Sequence, residues 1–433
     1  MLFDRSSSSR REFLKTAAAV SVAALPIARG AHAAGSDVLK IGLIGCGGRG
    51  TGAAVNAMNT GKDVRLVALA DLFPEQLKNS LAQLRQAKPD QVAVSPERCF
   101  IGFDAYQKLL ASGVDVVLIA TTVHFHPTLL TAAVDAGKHV FCEKAHALDA
   151  PGIRMVIDAC AKAKQKGLSL LSGLCWRHAP AVRETIERVR DGAIGEIVGI
   201  QANYCVGGRR AYPRRPDWTE MQNQMLNWYN FQWLSGDQSS AQLIHCLDIA
   251  SWGMGDVAPE WAWGMGGRQV CLEPRYGDLF DHHATVYEYA NGVRLFGFCR
   301  DQPGWYGDYS VFFFGTKGRA SGPCMCGIKT ANPWRYKYKG TADNMYDLEH
   351  QFLFDAIRKG TPINSGSYMA TSSMLAILSQ MVCCTGEQLT WQQAMQSKHD
   401  FRLPRYGWDV EPPVKPDQNG QYPTATPGVT RFP

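Results

Sequence analysis

The sequence predicts an α/β protein whose first half forms a doubly wound parallel sheet and whose second half forms a separate α+β domain. Apolar, strand-like runs alternate with helix-like runs from residue 36 to about residue 175, and this alternation is typical of parallel sheets covered by helices. The chain also has 433 residues, which is too long for one ordinary domain. We therefore expect one domain over residues 36–175 and another over residues 176–433.

The composition is that of a folded globular protein, with 45% hydrophobic and 19% charged residues. The formal net charge is +6, but the sequence has no long basic run and no alternation of basic and aromatic residues, so we expect no nucleic-acid partner. The 13 cysteines are scattered, without a C-x-x-C pair. This scatter predicts no metal site and favours free, buried thiols over a disulfide framework.

Residues 1–33 have the pattern of an export signal. Adjacent arginines lie in Ser9–Lys15, an apolar run covers Thr16–Ile27, and Ala31–Ala33 forms an A-x-A cleavage pattern. The apolar run is shorter than the ~20 residues needed to cross a bilayer. The arginine pair followed by Phe-Leu-Lys resembles a twin-arginine signal, and the alternative is an ordinary secretory signal. We therefore expect a periplasmic protein exported by the twin-arginine route, with no later apolar run of transmembrane length.

Five apolar runs are predicted to be strands of the first sheet. They are Val38–Ile44, Val64–Ala70, Val114–Ala120, His139–Cys142 and Leu168–Gly173. Between them, residues 74–87, 127–137 and 151–167 carry apolar side chains at spacings of three and four, which predicts helices. Gly137 and Gly167 stand at the ends of two of these helices as C-terminal stops.

The first strand leads directly into a G-x-G-x-x-G sequence, and an aspartate follows the second strand. Glycines here allow a tight turn, a close approach of a pyrophosphate and close packing of the helix, whose N-terminus attracts the phosphates. The aspartate can accept hydrogen bonds from ribose hydroxyls and would repel a 2′-phosphate, so a Rossmann domain binding NAD rather than NADP is predicted. The alternatives are a plain turn for the glycines and a helix cap for the aspartate. The predicted cofactor-binding residues are Gly45, Gly47, Gly48, Arg49, Gly50 and Asp71.

Polar side chains also follow two other predicted strands. Thr121 and His126 come after the third strand, and Glu143 and Lys144 come directly after the fourth. Ligands of doubly wound sheets bind outside the C-terminal ends of the strands. These four residues are therefore further candidates for contact with the cofactor.

With these motifs, the chain resembles the glucose–fructose oxidoreductase / inositol dehydrogenase / MocA family. The matching segments are Gly45–Gly50, Thr121–His126, Ala136–Lys144, Gly173–Pro180, Gly192–Ile197 and the H-x-x-D pair His245 and Asp248. An exported subgroup is resembled in Asn227–Asp237, His245–Trp252, Phe280–Phe296, Gly315–Gly318 and Thr385–Trp391. The chain departs from the family at Ala145, where proline is usual, and at Ala241 and Leu243, where the subgroup often has an acidic residue and a histidine.

The resemblance implies that the second domain contains an open, mostly antiparallel sheet that forms the floor of a substrate cleft. Strand-like runs at residues 196–204, 284–290, 293–300 and 309–315 agree with this plan. The dipeptide Asn291-Gly292 joins two of these runs and is a two-residue hairpin signal.

Lys144 is the first candidate for the base that takes the proton from a sugar hydroxyl. Partial burial beside an oxidised, positively charged nicotinamide would lower the pKa of its ammonium group. Glu143 would orient this group or contact the cofactor. The spacing of His245 and Asp248 puts both on one helix face, and the resemblance implies that His245 meets the substrate carbinol with Asp248 close by. The alternatives are a surface charge pair for Glu143 and Lys144 and a structural pair for the other two.

Four residues are predicted to bind the substrate. Trp176, Arg177 and His178 follow the last predicted strand of the first sheet, and Tyr204 lies in the first predicted strand of the second. An aromatic ring beside a guanidinium group suits a sugar, by stacking and by hydrogen bonding. For Arg177 the alternative is an interdomain salt bridge.

These observations predict a periplasmic NAD-dependent oxidoreductase acting on a hydroxyl of a sugar or sugar derivative. The first alternative is a glycoside hydrolase that uses bound NAD for transient oxidation, elimination, water addition and reduction. The second alternative is an NAD-binding protein without catalytic activity. A carbohydrate is the expected partner, and a homo-oligomer, either a dimer or a tetramer, is expected.

Overall fold

The structure is a computed structural model that describes residues 38–304, 306–323, 326–330 and 335–432. The predicted export signal, residues 1–33, lies outside the described residues. Every cysteine in the described part of the chain is free, and most of these thiols are buried, as predicted from their scatter.

The first sheet has six parallel strands in the order β3-β2-β1-β4-β5-β6. The strands are β1 Leu39–Ile44, β2 Val64–Asp71, β3 Cys99–Ile101, β4 Val116–Ile119, β5 His139–Cys142 and β6 Leu170–Ser172. The predicted doubly wound parallel sheet is therefore confirmed. The prediction missed β3, because three half-exposed residues at a sheet edge carry little periodic signal.

Helices cover both faces of this sheet and enclose two separate apolar clusters. They are α1 Gly48–Asn59, α2 Pro74–Ala87, α3 Ala105–Ala111, α4 His126–Asp135 and α5 Ala150–Gln165. The apolar residues of α1 and α2 pack on one face, and those of α3, α4 and α5 pack on the other. The predicted bounds of α2 agree with the structure at both ends.

The second sheet has nine strands in the order β14-β13-β12-β11-β7-β10-β9-β8-β15. The strands are β7 Ile197–Val206, β8 Trp261–Gly267, β9 His282–Glu288, β10 Arg294–Asp301, β11 Asp308–Gly315, β12 Gly318–Pro323, β13 Gly327–Thr330, β14 Arg335–Lys337 and β15 Leu389–Thr390. Among the described strands of this second sheet, only β7 and β10 pair in parallel, so the predicted mostly antiparallel sheet is confirmed. The predicted hairpin at Asn291-Gly292 joins β9 and β10, with Gly292 at a φ of 80°. Its loop has three residues, 290–292, and not the predicted two, because the Tyr289 N–H donates to the Val293 carbonyl oxygen.

The remaining helices are α6 Pro180–Arg190, α7 Glu220–Leu226, α8 Gln232–Ser235, α9 Ile244–Gly253, α10 Met345–Arg358, α11 Gly366–Thr385 and α12 Trp391–Gln396. By length and composition α11 could cross a membrane, so the expectation that no later run reaches that length is wrong. Its most apolar window is 89% buried inside the protein, because α9 and α11 pack together on one face of the second sheet. In this structure α11 is a core helix.

Two later segments pack on the first domain although the predicted boundary places them in the second. Helix α10 contributes Leu353 and Phe354 to the cluster under α1, and its Asp347 accepts a hydrogen bond from the Nδ2 atom of Asn56. The C-terminal tail places the Tyr406 hydroxyl 2.7 Å from Nε2 of His124. The first sheet is thus completed by residues far along the chain.

Candidate functional site

The glycine sequence forms a tight connection between β1 and α1. Gly45 has a φ of 96°, and a Cβ atom there would lie 2.5 Å from the Ala120 carbonyl oxygen. A Cβ atom on Gly50 would collide with the Gly45 carbonyl oxygen. Beside Gly47 and Gly48, by contrast, no described atom lies within 4 Å of the position that a Cβ atom would take. Packing therefore requires glycine at positions 45 and 50, whereas Gly47 and Gly48 leave open space over the start of α1.

The start of α1 can hold an anion. Gly47 precedes the helix in an extended conformation, no side chain caps it, and its first turn has no acidic residue. The first N–H groups of a helix have no partner within the helix and carry a positive partial charge. Open space over these groups fits a pyrophosphate, as predicted.

Asp71 ends β2 beside this loop. Its Oδ2 atom accepts a 2.6 Å hydrogen bond from the Cys46 N–H, and its Oδ1 atom accepts one from the Phe73 N–H at 2.8 Å. Burial raises the pKa of this carboxyl, and the same N–H donors oppose that rise. Helix α2 starts after Phe73 without a side-chain cap, so Asp71 is not the helix cap of the alternative interpretation. The remaining lone pairs of its carboxylate oxygens can accept hydrogen bonds from ribose hydroxyls.

The glycines allow a test of cofactor binding with a matched control. Gly50→Ala should abolish stable NAD binding, because its methyl group collides with the backbone of Gly45. Gly52→Ala should bind NAD normally, since its nearest neighbours lie 3.8 Å away on the flexible Arg49 side chain. Gly47→Ala meets no described atom of the chain, so at least a tenfold loss of affinity would come from contact with the cofactor. Calorimetric titration of each variant with NAD measures these effects, and equal affinities for all three would contradict this placement.

Glu143 and Arg49 join the glycine loop to the end of β5. Arg49 Nε lies 3.0 Å from Glu143 Oε1, and the Glu143 side chain is 8% exposed. Burial raises the pKa of Glu143, while Arg49 and Lys144 oppose that rise. Arg49 also donates to Asn56 and lies over the ring of Tyr346. These contacts give Glu143 and Arg49 a positioning role, and their predicted contact with the cofactor stays a prediction.

Lys144 lies where the two domains meet. Its Nζ atom donates a 2.5 Å hydrogen bond to the carbonyl oxygen of Ala241, which belongs to a π-helical turn, Ser239–Leu243. Burial lowers the pKa of the Lys144 ammonium, and Glu143 opposes that change. The Lys144–Ala145 peptide bond is cis. A lysine whose neutral form is favoured by burial can serve as a base.

His245 lies in the first turn of α9, two residues after that π-helical turn. Its Nδ1 atom is buried and has no hydrogen-bond partner among the described residues. Burial lowers the pKa of the imidazole well below its ordinary value, and the charge of Lys144 lowers it further, so the ring is neutral. The ring stacks on Tyr204 with the centroids 6.4 Å apart. The predicted neighbours Lys144, His245 and Tyr204 are thus brought to one place.

Asp248 and Arg177 form a buried ion-pair cluster instead of lining the cleft. Arg177 donates to both oxygens of Asp248 at 2.8–3.1 Å and to both oxygens of Asp256 at 2.6–3.0 Å. The Arg177 side chain is 9% exposed and that of Asp248 is 1% exposed. These contacts correct the expectation that Arg177 binds substrate, because its guanidinium faces carboxylates. Asp248 acts here as the anchor of α9, and direct contact with a substrate is not supported by this geometry.

His126 and Thr121 have backbone contacts. The His126 ring lies between the carbonyl oxygens of Ala145, 2.6 Å from Nδ1, and Thr121, 3.1 Å from Nε2. Burial lowers the pKa of His126 to about 4, so the ring is neutral and donates a hydrogen bond to one of these two carbonyl oxygens. It joins the loops that follow β4 and β5, and this supports the loop that carries Lys144. A cofactor contact for either residue stays a prediction.

The other predicted substrate residues divide between two places. The Trp176 ring meets Tyr309 edge-on at 5.7 Å, and Tyr309 lies 4.5 Å from Tyr204, so these rings form an aromatic wall near His245. His178 instead packs against Phe352 of α10, and burial lowers its pKa to about 4. That contact does not favour the predicted substrate role of His178.

Two residues of this site were missed from the sequence. Tyr309 begins a strand-like run, where alternation alone does not say which face meets the cleft. Gln242 lies between Ala241 and His245, and its Oε1 atom is buried without a partner in the described part of the chain. Its position three residues before the histidine of the H-x-x-D pair is the one signal that could have identified it. Across the described ranges no group of three or more His, Cys, Asp and Glu residues is arranged to hold a metal.

Comparison with known proteins identifies the first domain. Residues 39–170 match a family described as an oxidoreductase family with an NAD-binding Rossmann fold, GFO_IDH_MocA. This part of the chain is an NAD-binding Rossmann domain of that oxidoreductase family. The predicted cofactor, NAD, agrees with this match and with the open glycine loop.

Some relatives of this domain are named as dehydrogenases and others as glycosyl hydrolase family proteins. The chain is 26% identical over 233 residues to levoglucosan dehydrogenase of Pseudarthrobacter phenanthrenivorans, which covers 48% of this chain and 56% of that protein. It is 31% identical over 197 residues to a glycosyl hydrolase family 109 protein of Stenotrophomonas maltophilia, covering 45% of this chain and 42% of that protein. The chain thus spans about half the length of the curated relatives it matches.

Solved structures share the fold over a larger part of the chain. An aldose–aldose oxidoreductase from Caulobacter crescentus has a TM-score of 0.64 at 19% identity, covering 82% of this chain and 99% of its own. A levoglucosan dehydrogenase in complex with NADH and levoglucosan has a TM-score of 0.65 at 18% identity, covering 82% and 100%. At this identity the likeness shows only that this chain shares its fold with these proteins over the 82% of the chain that is covered.

Proposed function

We propose that this chain is an NAD-dependent oxidoreductase acting on a hydroxyl of a sugar or sugar derivative. The observation that carries the proposal is the meeting of Lys144, His245 and an aromatic wall at the C-terminal edge of the NAD-binding sheet. The names of relatives that act on levoglucosan and inositol support the substrate class.

The chain's own residues supply binding and proton handling. Bound NAD supplies the acceptor for a hydride. Neutral Lys144 receives the proton of the reacting hydroxyl at Nζ, and the Ala241 carbonyl holds the resulting ammonium. The neutral ring of His245, which stacks on Tyr204, can hydrogen-bond the reacting hydroxyl. Tyr204 and Tyr309 offer rings on which a sugar face can pack.

A redox-assisted glycoside hydrolase is the second candidate, favoured by the 31% identity to the glycosyl hydrolase family 109 protein. One assay separates the two candidates. The purified protein with NAD is given panels of free sugars and of nitrophenyl glycosides. The proposed oxidoreductase raises absorbance at the NADH band and yields a ketosugar. Nitrophenol release without net NADH would favour the hydrolase, and NAD binding without either signal would favour a non-catalytic protein.

We also propose export to the periplasm by the twin-arginine route, on the strength of the arginine pair Arg10-Arg11 and the apolar run after it. A full-length chain expressed in a bacterium with this route should be found in the periplasm in shortened form. The Arg10→Lys/Arg11→Lys variant should remain in the cytoplasm. Equal periplasmic amounts of the two chains would contradict the twin-arginine route and support an ordinary secretory signal.

A homo-oligomer formed through the open face of the second sheet is proposed as well. Exposed apolar side chains on that face are Trp263, Met265, Phe298 and Phe314, which are 37–60% exposed, and the strand registers place them on the same side. Contiguous exposed apolar area of this kind is typical of an interface. Sedimentation should therefore give a dimer or tetramer, and Met265→Glu/Phe298→Glu should give a monomer. A wild-type monomer at all concentrations would contradict this proposal.

A further inference from the structure

Two sequence segments that have no part in the proposed chemistry meet inside the second domain. Asp237 ends the segment Asn227–Asp237, and His283 lies on β9 within Phe280–Phe296. His283 Nε2 lies 2.9 Å from Asp237 Oδ2, and the two side chains are 0% and 2% exposed. Although burial lowers the pKa of His283, the Asp237 carboxylate raises it to about 10. The contact is therefore an ion pair that is wholly enclosed by protein.

The same carboxylate holds the start of the π-helical turn. Asp237 Oδ1 accepts a 3.0 Å hydrogen bond from the Ser239 N–H, and the Asp237 N–H donates to Ser235 Oγ at 3.1 Å. Asp237 has a φ of 65°, in the left-handed region that aspartate adopts more readily than most residues. One side chain thus links the histidine of β9 to the first residue of the turn.

A second connection ties the turn to the same strand. Ser239 Oγ lies 3.1 Å from Ser379 Oγ on α11, and Ser379 Oγ lies 2.7 Å from Thr285 Oγ1 on β9. Thr285 is two residues after His283, so both side chains point to the same face of the sheet. The turn is therefore attached to β9 through an ion pair and through a hydroxyl chain.

The other part of the turn holds Lys144. The Ala241 carbonyl oxygen of this turn accepts the 2.5 Å hydrogen bond from Lys144 Nζ. His245 follows two residues after the turn. We propose that Asp237 and His283 are positioning residues whose ion pair sets the turn Ser239–Leu243, and through it the place of the Lys144 ammonium. The inference rests on the proposed function in taking Lys144 as the base of the reaction.

The direction of the expected effect follows from this hydrogen bond. A carbonyl that accepts from an ammonium favours the charged form and so raises the pKa of the lysine. If the turn moves away, the pKa of Lys144 falls. Six other titratable or charged groups interact electrostatically with Lys144. They are Glu143, Arg49, Cys175, His245, His126 and His146. All six remain in variants of Asp237 and His283.

The test measures Lys144 directly and does not depend on turnover. The purified protein is acetylated with acetic anhydride over a pH series, and mass spectrometry of the Lys144 peptide gives the midpoint of its reactivity. In Asp237→Asn this midpoint should fall by about 1 pH unit, the effect of losing one hydrogen bond to a charged group. Where the sugar assay is positive, the rising limb of kcat/KM should move to lower pH by the same amount. The kcat on the plateau above that limb should fall about tenfold with KM nearly unchanged, because the amine is displaced from the reacting hydroxyl.

Three further variants separate positioning from stability. Asp237→Asn/His283→Gln replaces the ion pair by two neutral amides that can still bond, and should return the midpoint toward the wild-type value. Leu84→Ala removes a fully buried side chain of α2, and should lower Tm while leaving the midpoint unchanged. Ser379→Ala removes the hydroxyl link and leaves the ion pair in place. It is the variant to measure if Asp237→Asn does not fold, and it should give a smaller shift in the same direction.

A folded Asp237→Asn protein with a wild-type midpoint would overturn the proposal. So would a lowered Tm without a shift of the midpoint, the pattern expected of Leu84→Ala. A shifted midpoint in a protein whose wild-type form oxidises no sugar would support the positioning role and count against the proposed function alone.

Discussion

Replacing Lys144 with alanine is expected to lower kcat for sugar oxidation by ~10²–10⁴-fold, the usual contribution of a positioned acid or base. NAD binding should change little, because the glycine loop follows β1 and Asp71 ends β2, whereas Lys144 follows β5. Stopped-flow measurement of NADH formation gives kcat, and calorimetric titration gives NAD affinity. A Lys144→Ala variant with more than about a tenth of the wild-type kcat would remove Lys144 from the mechanism.

Two variants sharpen this experiment. Lys144→Arg keeps a positive charge but cannot lose a proton near neutral pH, so it should be about as inactive as Lys144→Ala. Lys164→Ala changes an exposed lysine of α5 and should retain full activity. Because burial lowers the pKa of Lys144, and the neutral amine is the active form, wild-type kcat/KM should rise with pH through a midpoint below the ordinary lysine value. That limb should be absent from both Lys144 variants.

Replacing Arg177 with methionine should lower the free energy of unfolding by ~3–5 kcal/mol, because it leaves a buried carboxylate without its positively charged partner. Arg177 is enclosed by Asp248 and Asp256, and its guanidinium lies 4.1 Å from the Tyr368 ring centroid. Urea unfolding measures the change. Arg405→Met is a matched control, because its pair with Asp409 is exposed to solvent, and it should leave the free energy of unfolding nearly unchanged.

The cost of Arg177→Met should also shrink as the pH falls. Burial raises the pKa of Asp248, and Arg177 opposes that rise. Without Arg177 the pKa of Asp248 in the folded protein rises further above its unfolded value, so protonation stabilises the folded variant as the pH falls through that range. The difference from wild type should therefore be smaller at pH 5 than at pH 8. A difference that grows toward acid pH would contradict this account of the cluster.

Much of the first domain could be predicted because its signals are local. The bounds of α2 and the glycine loop depend on residues that are neighbours in the chain, and so does the hairpin at Asn291-Gly292 in the second domain. Asp71 could be predicted for the same reason, since strand periodicity places it at the end of β2. Lys144 could be predicted from its place after β5, and the family resemblance, carried by short motifs, added the substrate role of His245.

Other parts of the site depend on contacts between distant residues. Arg177 and Asp248 are 71 positions apart, so the sequence could not show that the guanidinium faces carboxylates and not a sugar. Helix α10 carries an ordinary amphipathic pattern, which does not say which sheet it covers. The buried, unpartnered Oε1 atom of Gln242 is likewise a result of packing that no spacing rule expresses.

By itself the sequence determined the alternating architecture, the glycine loop and the residue types at the ends of β2, β4 and β5, because backbone geometry and period act over a few residues. Only the tertiary structure decided what the charged side chains do. Glu143 meets Arg49, Arg177 meets Asp248, and Lys144 meets the turn held by Asp237. A buried charge must find its partner in space, and that partner is set by how the two sheets and their helices pack.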